Sequence, residues 1–538
     1  MENDATPPAY SALFVFGDSL SDNGAVFALS GGTVPPTTLT GTDTNGDAVD
    51  FDAAGIFFNQ NFTNGSVYAD VAADLLKIAS DTSTFYDNLS GSNLAVGGAT
   101  ATDLTAFGDT TLSTLADQVA AFQGGLAALP GTAEEQQAFL SGAAASVFIG
   151  LNDLGPLGNA SATLTGFDLA TITAGIQTIV DEIDTQVQAL AATGVGTIIL
   201  NKLPSTAFFP SSNDSIDAFG PETVALFDQV SASINFGLDI IAGTVGASGT
   251  QVETVDFFSL AKEIEGDTET FGFQTLENAL PSSDANTTLL IDDVPISEIG
   301  FIDPVHFTSE LHEIFGVFQA MTLGTTQFNG TDDSNFIAGS STADTIFALG
   351  GNDVVLAQDG NDLVFAGADS DGVFAGAGKD IAFGGTGGDA VLGQAGGDVL
   401  AGGGGSDFVD GGTGNDFVSG SAGQDYLRGG DDADVLVGGR DGDVLSAGLG
   451  DDFVIYLAPG TASSTGSQTD LIFGAAGTDT LLIVSDTAID DTGAFLAAND
   501  VLTLSVEVVE VVTTAELEAY DFGIVGAQVD TADLFGLV

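Results

Sequence analysis

The chain has 538 residues, 76 of them acidic against 6 Lys plus Arg, giving a formal net charge of −70. That length allows two to four domains with sizeable cores, and that charge excludes nucleic acid as a partner and opposes adsorption to anionic membranes unless divalent cations intervene. With no Cys there is no disulfide framework, no thiol nucleophile and no Cys-ligated zinc site. No apolar run reaches transmembrane length. The start, Met1-Glu2-Asn3-Asp4, lacks the basic and apolar regions of a signal peptide. Export, if it occurs, is therefore expected to use a route that reads no cleaved N-terminal signal.

Residues 1–323 read as α/β. Short apolar strands are predicted at Leu13–Phe16, Ser146–Ile149, Gly196–Leu200 and Val252–Phe257. They alternate with helical periodicity over Val67–Ile78, Leu112–Phe122, Ile172–Ala192 and Thr223–Ala242. Such alternation predicts a mainly parallel sheet covered on both faces. The stripe Ile172, Ile176, Val180, Ile183 and Val187 reads as core, and the Gly/Thr/Asp-rich stretch 31–56 as a long surface loop or insertion.

Four short segments stand out. Gly17 ends the first strand, so Ser19 falls on a turn at the C-terminal end of a strand, where α/β sheets place their chemistry. A lone Ser beside Gly and Asp is more often a turn or capping residue. Asn93–Thr100 contains Gly97-Gly98, a small-residue turn suited to presenting a backbone N–H. Gly150-Leu151-Asn152-Asp153 follows the second strand, so Asn152 would present an amide at the same edge. Only two histidines occur; His306 stands three residues after Asp303, and His312 reads as structural on the following helix, as does Asp153 in its turn.

From about residue 330 an Asp recurs every ninth position: Asp344, Asp353, Asp362, Asp371, Asp380, Asp389, Asp398, Asp407, Asp416, Asp425, Asp434, Asp443 and Asp452. An apolar residue follows each by two, weakest at Ala382, and Gly usually precedes by two. Asp470 and Asp479 keep the phase after an interruption at Pro459–Gln468. Gly411-Gly412-Thr413-Gly414-Asn415-Asp416-Phe417-Val418 follows the β-helix nonapeptide pattern almost literally. Glycines permit the left-handed turn, the carboxylates and turn carbonyls supply hard oxygen ligands for Ca²⁺, and the apolar residue points into a thin core.

Over residues 330–482 the chain resembles the RTX family of Ca²⁺-binding β-rolls. The resemblance implies two nonapeptides per coil, several structural Ca²⁺ ions, secretion by type I machinery and folding outside the cell. Asp369, Asp432 and Asp441 stand where Gly is usual, and Asn335 where the first Asp would fall; weaker binding is expected there. Over residues 10–323 the four segments, in their order, resemble the GDSL or SGNH hydrolases. That resemblance implies a flavodoxin-like α/β/α fold, Ser19 as nucleophile, His306 as base, Asp303 orienting the imidazole, and an oxyanion hole from the N–H groups of Ser19 and Gly98 and the side chain of Asn152. Phe307 follows His306 where the family often has Pro. No Gly-x-Ser-x-Gly elbow occurs, which argues against the ordinary α/β-hydrolases.

The sequence thus predicts a multidomain protein: an α/β hydrolase domain over 1–323, an all-β Ca²⁺ roll over 324–482, and a C-terminal cap with a secretion signal over 483–538. The expected activity is hydrolysis of carboxylic esters or lipids without an organic cofactor. Two alternatives stay open: a Ca²⁺-dependent adhesive or surface-layer protein, and an esterase acting on acetylated polysaccharide. Acyl-chain length, oligomeric state and the number of filled Ca²⁺ sites are not legible.

Overall fold

The computed structural model describes residues 10–17, most of 114–278, 299–301, 307–458 and most of 470–522, with short pieces between 40 and 101. Packing divides the chain into two compact units, one built on residues 7–262 and 274–323, the other on residues 324–538 together with Glu263–Phe273.

Among the described residues of the first unit four parallel strands lie side by side in chain order: Leu13–Gly17, Ala144–Phe148, Thr197–Asn201 and Gln251–Val255. The first three are buried along their whole length, which is why they read as continuous apolar runs rather than alternating ones. The connections carry helices, including Leu115–Leu126, Leu169–Ala191 and Pro221–Gly246. Helix Leu169–Ala191 starts at Asp168, whose carboxylate accepts from the Ala170 N–H at 3.1 Å, and buries Ile172, Ile179, Ile183, Val187 and Leu190. Ile176 and Val180, expected in that stripe, are half-buried. Within 31–56, Thr40–Thr42 and Ala48–Asp50 pair as an antiparallel hairpin.

Two helices escape the periodicity reading. Ala133–Ser141 buries only Leu140, so it has no apolar stripe; its signature is the capping box of Thr132 and Glu135. Phe257, expected to end a strand, instead begins helix Phe257–Gly266, because the Asp256 carboxylate accepts from the Ser259 N–H at 3.1 Å.

Asp256 also helps to hold a buried cation. Lys202 Nζ lies 3.1 Å from Asp239 and 3.6 Å from Asp256. Burial opposes its charge, yet the carboxylates of Asp256 and Asp239 hold the ammonium above its ordinary pKa. Removing one partner of a buried pair strands the other charge. Lys202→Met is expected to lower stability by about 3–5 kcal/mol, read as the urea midpoint of Ca²⁺-saturated protein; a change below about 1 kcal/mol, the scale of a surface pair, would contradict the assignment.

The second unit is two parallel sheets wound from one chain. Ten strands run from Thr326–Thr331 to Val508–Val512, and nine from Phe336–Ala338 to Leu502–Leu504. Neighbours are offset by eighteen residues, as in the column Val373, Val391, Val409, Leu427 and Leu445, so one coil is two nonapeptides. The apolar residue two after each repeat Asp, Ala382 included, lies in the continuous core between the sheets. Past Leu445 the offset grows to twenty-seven, with Leu445 beside Ile472 and Val454 beside Leu481. One coil is therefore longer by a whole nonapeptide; the interruption at Pro459–Gln468 lies outside the described residues. The sheets also continue beyond residue 482, with Leu481 beside Val509 and Ile472 beside Thr503. The last coil thus draws on the segment expected to be a cap. On the ten-stranded sheet Phe347, Phe365 and Phe383 stack at 4.9 and 5.0 Å, and Phe271 of the Glu263–Phe273 segment adds a ring 5.4 Å from Phe383.

Candidate functional site

The α/β unit brings two of the four segments to one edge. Gly17 is the register partner of Phe148, so the chain leading to Ser19 and the chain leading to Asn152 leave adjacent parallel strands at their C-terminal ends. Gly150 makes the corner after the second strand with φ of 123°, a region closed to most side chains. Leu151–Leu154 then forms a helical turn with Asn152 half-buried on it. Asp153 is buried behind that turn and accepts a 2.7 Å hydrogen bond from the Ala101 N–H, just after the Gly97-Gly98 segment. At the other strand the carboxamide of buried Gln118 closes on Gly17, with the Gly17 N–H donating to Oε1 at 2.9 Å and Nε2 donating to the Gly17 carbonyl at 2.8 Å. Ser19, Gly98, Asp303 and His306 themselves lie outside the described residues.

Residues flanking the Asp303–His306 segment are firmly held. Phe301 and Phe307 form an antiparallel bridge and their rings meet edge to face at 5.4 Å. The helix Ser309–Thr322 that follows is pinned to the sheet by Gln319, whose Nε2 donates to Asn201 Oδ1 at 2.6 Å, while Asn201 Nδ2 donates to Ser146 Oγ at 2.8 Å. His312 is buried on this helix with its ring 5.2 Å from Phe307, in keeping with a structural histidine.

In the roll the repeat aspartates stack into two columns, one along each edge. Each backbone N–H donates to Oδ1 of the Asp one coil later: Asp389 to Asp407 and Asp398 to Asp416, both at 2.8 Å, and across the long coil Asp443 to Asp470 at 3.1 Å. The other oxygen, Oδ2, of every repeat Asp from Asp353 to Asp452 is buried without a hydrogen-bond partner. Asp344 differs, because Ser340 donates to both of its oxygens. Burial, aided at many positions by neighbouring carboxylates, pushes these groups far up: Asp398 and Asp434 to about 9, Asp362, Asp371 and Asp425 to about 8, and Asp389 and Asp443 to about 7. Where Gly was expected, Asp369, Asp432 and Asp441 adopt φ of 76°, 79° and 68°, so the left-handed turn persists despite the side chain.

The family model for the GDSL-like lipase/acylhydrolase matches residues 13–316, more than half of the chain. The chain belongs to that family. The RTX calcium-binding nonapeptide repeat matches residues 329–364, 349–382, 356–391, 383–418 and 419–454. No curated protein matches the chain. This GDSL-like hydrolase therefore carries a calcium-binding repeat roll behind its α/β domain, in the predicted order.

The roll of this GDSL-like hydrolase fits the ion its repeats bind. Among the described residues no three acidic or histidine side chains converge on one point, so a cation there must complete its shell from the backbone. The turns offer that backbone. A Cβ added to Gly393 would lie 2.5 Å from Asp398 Oδ2 and 2.6 Å from the Gly411 carbonyl; at Gly384 the same atom would meet the Gly402 carbonyl at 2.5 Å and Asp389 Oδ2 at 2.8 Å. Orphaned carboxylate oxygens and carbonyls thus share small spaces that only Gly leaves open. Hard oxygen donors of this kind suit Ca²⁺. Among the described residues no helix is long and apolar enough to cross a membrane.

Proposed function

We propose that this hydrolase is a secreted serine esterase or lipase acting on carboxylic esters, exported by type I machinery and folded outside the cell around Ca²⁺. One observation supports the reading: Gly17 and Phe148 are register partners, so the chains leading to Ser19 and to Asn152 leave neighbouring parallel strands at the same end of the sheet.

In this reading neutral His306 accepts the Ser19 proton as Oγ attacks the ester carbonyl, and Asp303 fixes the tautomer and stabilises the imidazolium. The Ser19 and Gly98 N–H groups and the Asn152 amide meet the charge that develops on the carbonyl oxygen; losing one such donor costs on the order of 10²–10³ in rate. His306 then gives its proton to the leaving alcohol, and water, activated by the same imidazole, hydrolyses the acyl-enzyme. Asp353, Asp362, Asp371, Asp380, Asp389, Asp398, Asp407, Asp416, Asp425, Asp434, Asp443 and Asp452 would hold Ca²⁺ with the turn carbonyls. When bound, the ion supplies charge neutralisation and ties one coil to the next.

A panel of p-nitrophenyl esters, phospholipids, triglycerides and acetylated xylan, turned over by wild type and Ser19→Ala in Ca²⁺, tests the proposal. Ser19-dependent release of fatty acid or short acyl groups from simple esters is expected. Release confined to acetylated xylan would move the substrate to polysaccharide, and no Ser19-dependent turnover would favour an adhesive protein.

A further inference from the structure

Gln118 and Asp153 sit behind the site, belong to none of the residues given a chemical role, and each uses a buried polar head on the backbone of a site segment. Among the described residues strand Leu13–Gly17 stands first in the four-stranded sheet, and the N–H and C=O of its last residue, Gly17, take a side-chain partner. Gln118 is that partner. Its carboxamide presents to Gly17 the acceptor and donor that a peptide group would, at 2.9 and 2.8 Å, two residues before Ser19 in sequence. The residue occupies a core position of helix Leu115–Leu126, between buried Leu115 and Phe122. An apolar side chain would fill that space but leave both Gly17 groups bare.

Asp153 performs the matching task across the site. Its Oδ2 accepts from the Ala101 N–H, a short charge-assisted bond. Its own N–H donates to the Gly150 carbonyl at 3.2 Å, which ties the carboxylate rigidly to the turn that carries Asn152. Ala101, three residues after Gly98 in sequence, is thereby fastened to the turn of Asn152 across 52 residues of chain.

We propose that Gln118 and Asp153 are positioning residues of the oxyanion hole, Gln118 aiming the chain that presents the Ser19 N–H and Asp153 fixing the span between the Gly98 and Asn152 donors. This rests on the serine hydrolase reading above. Both residues spend their polar heads on backbone groups, so each is expected to act on how well the donors converge on the transition state more than on substrate binding. A misplacement of about 1 Å costs up to about 10²-fold in rate.

The test is steady-state hydrolysis of p-nitrophenyl acetate in Ca²⁺ by Gln118→Leu, Gln118→Glu, Asp153→Ala and Asp153→Asn, with rates normalised to the folded fraction by circular dichroism. Gln118→Leu and Asp153→Ala should lose about 10–10²-fold in kcat with KM within about twofold. Asp153→Asn keeps an acceptor and should recover most of the loss. Gln118→Glu keeps the shape but repels the Gly17 carbonyl, and should stay impaired. Should the Leu or Ala variant not fold, the Glu and Asn variants decide on the same criteria. Wild-type kcat per folded molecule, a loss carried by KM, or an Asn variant no better than Ala would overturn the proposal. Ser19→Ala runs alongside: if it retains activity the hydrolase reading itself fails, whereas an inactive Ser19→Ala beside fully active positioning variants overturns only this inference.

Discussion

Chelating Ca²⁺ at pH 8 is expected to strip amide-exchange protection from the roll, from Phe336 to Val484, while the strand Ala144–Phe148 keeps its own. The reason lies in the buried carboxylates. Their ordinary pKa is about 3.9 in an unfolded chain, and burial raises them to between about 6 and 9 in the metal-free fold. Between those limits the folded roll binds more protons than the unfolded chain, so its stability is fully present below pH ~4 and is lost as pH rises through the raised values. Ca²⁺ reverses the trend, because it replaces the protons and binds only the folded coils; each site contributes about 2.7 kcal/mol at a hundredfold excess over Kd. Metal-free protein should thus regain protection on acidification toward pH 5, whereas Ca²⁺-loaded protein stays protected at pH 8. NaCl of equal ionic strength controls for general screening of the net charge. Protection that ignores both chelator and pH would show that the unpaired Oδ2 atoms hold no cation.

The second large effect concerns the proposed base. His306→Ala and Ser19→Ala should each lower kcat by about 10⁴-fold or more, and the double variant should be no slower than either single one, since nucleophile and base act as one unit. Asp303→Asn should cost about as much by favouring the wrong tautomer. His312→Ala, if it folds, should leave kcat per folded molecule within a fewfold, because His312 is buried in aromatic packing. Multiplicative losses in the Ser19 and His306 double variant, or a His312 effect matching that of His306, would reassign the base.

Much of this architecture was legible in the residues. The roll was the clearest part, because its nine-residue phase fixes which side chain points inward; even the weak Ala382 takes its predicted place in the core. The parallel sheet was legible from apolar runs between amphipathic helices, with strand ends misplaced by one or two residues. The coil lengthened after Leu445 was half legible: Asp470 and Asp479 kept the phase, but only the register shows that the extra nonapeptide belongs to one coil. Gln118 was missed because a single Gln carries no motif. Its one signal was a polar residue in the apolar stripe of Leu115, Val119 and Phe122, which sequence periodicity treats as noise. Glu263–Phe273 was invisible for another reason: nothing local tells a chain segment to leave its neighbours and pack with a distant repeat.

The aspartate columns also have a sense of direction. Every link runs from an N–H in one coil to a carboxylate in the next, beginning at Asn335 and Asp344 and ending, on one edge, where Asp479 donates to Glu507. Cutting away the first coil leaves carboxylate oxygens, which water or a cation can satisfy. Cutting away the last leaves bare amides at the edge of a buried core, which is costly. The amide of each repeat Asp therefore finds this carboxylate acceptor only in the coil that follows. Glu507 thus terminates one column: the C-terminal end of the roll depends on an acceptor from beyond the last repeat Asp, whereas the N-terminal end needs none.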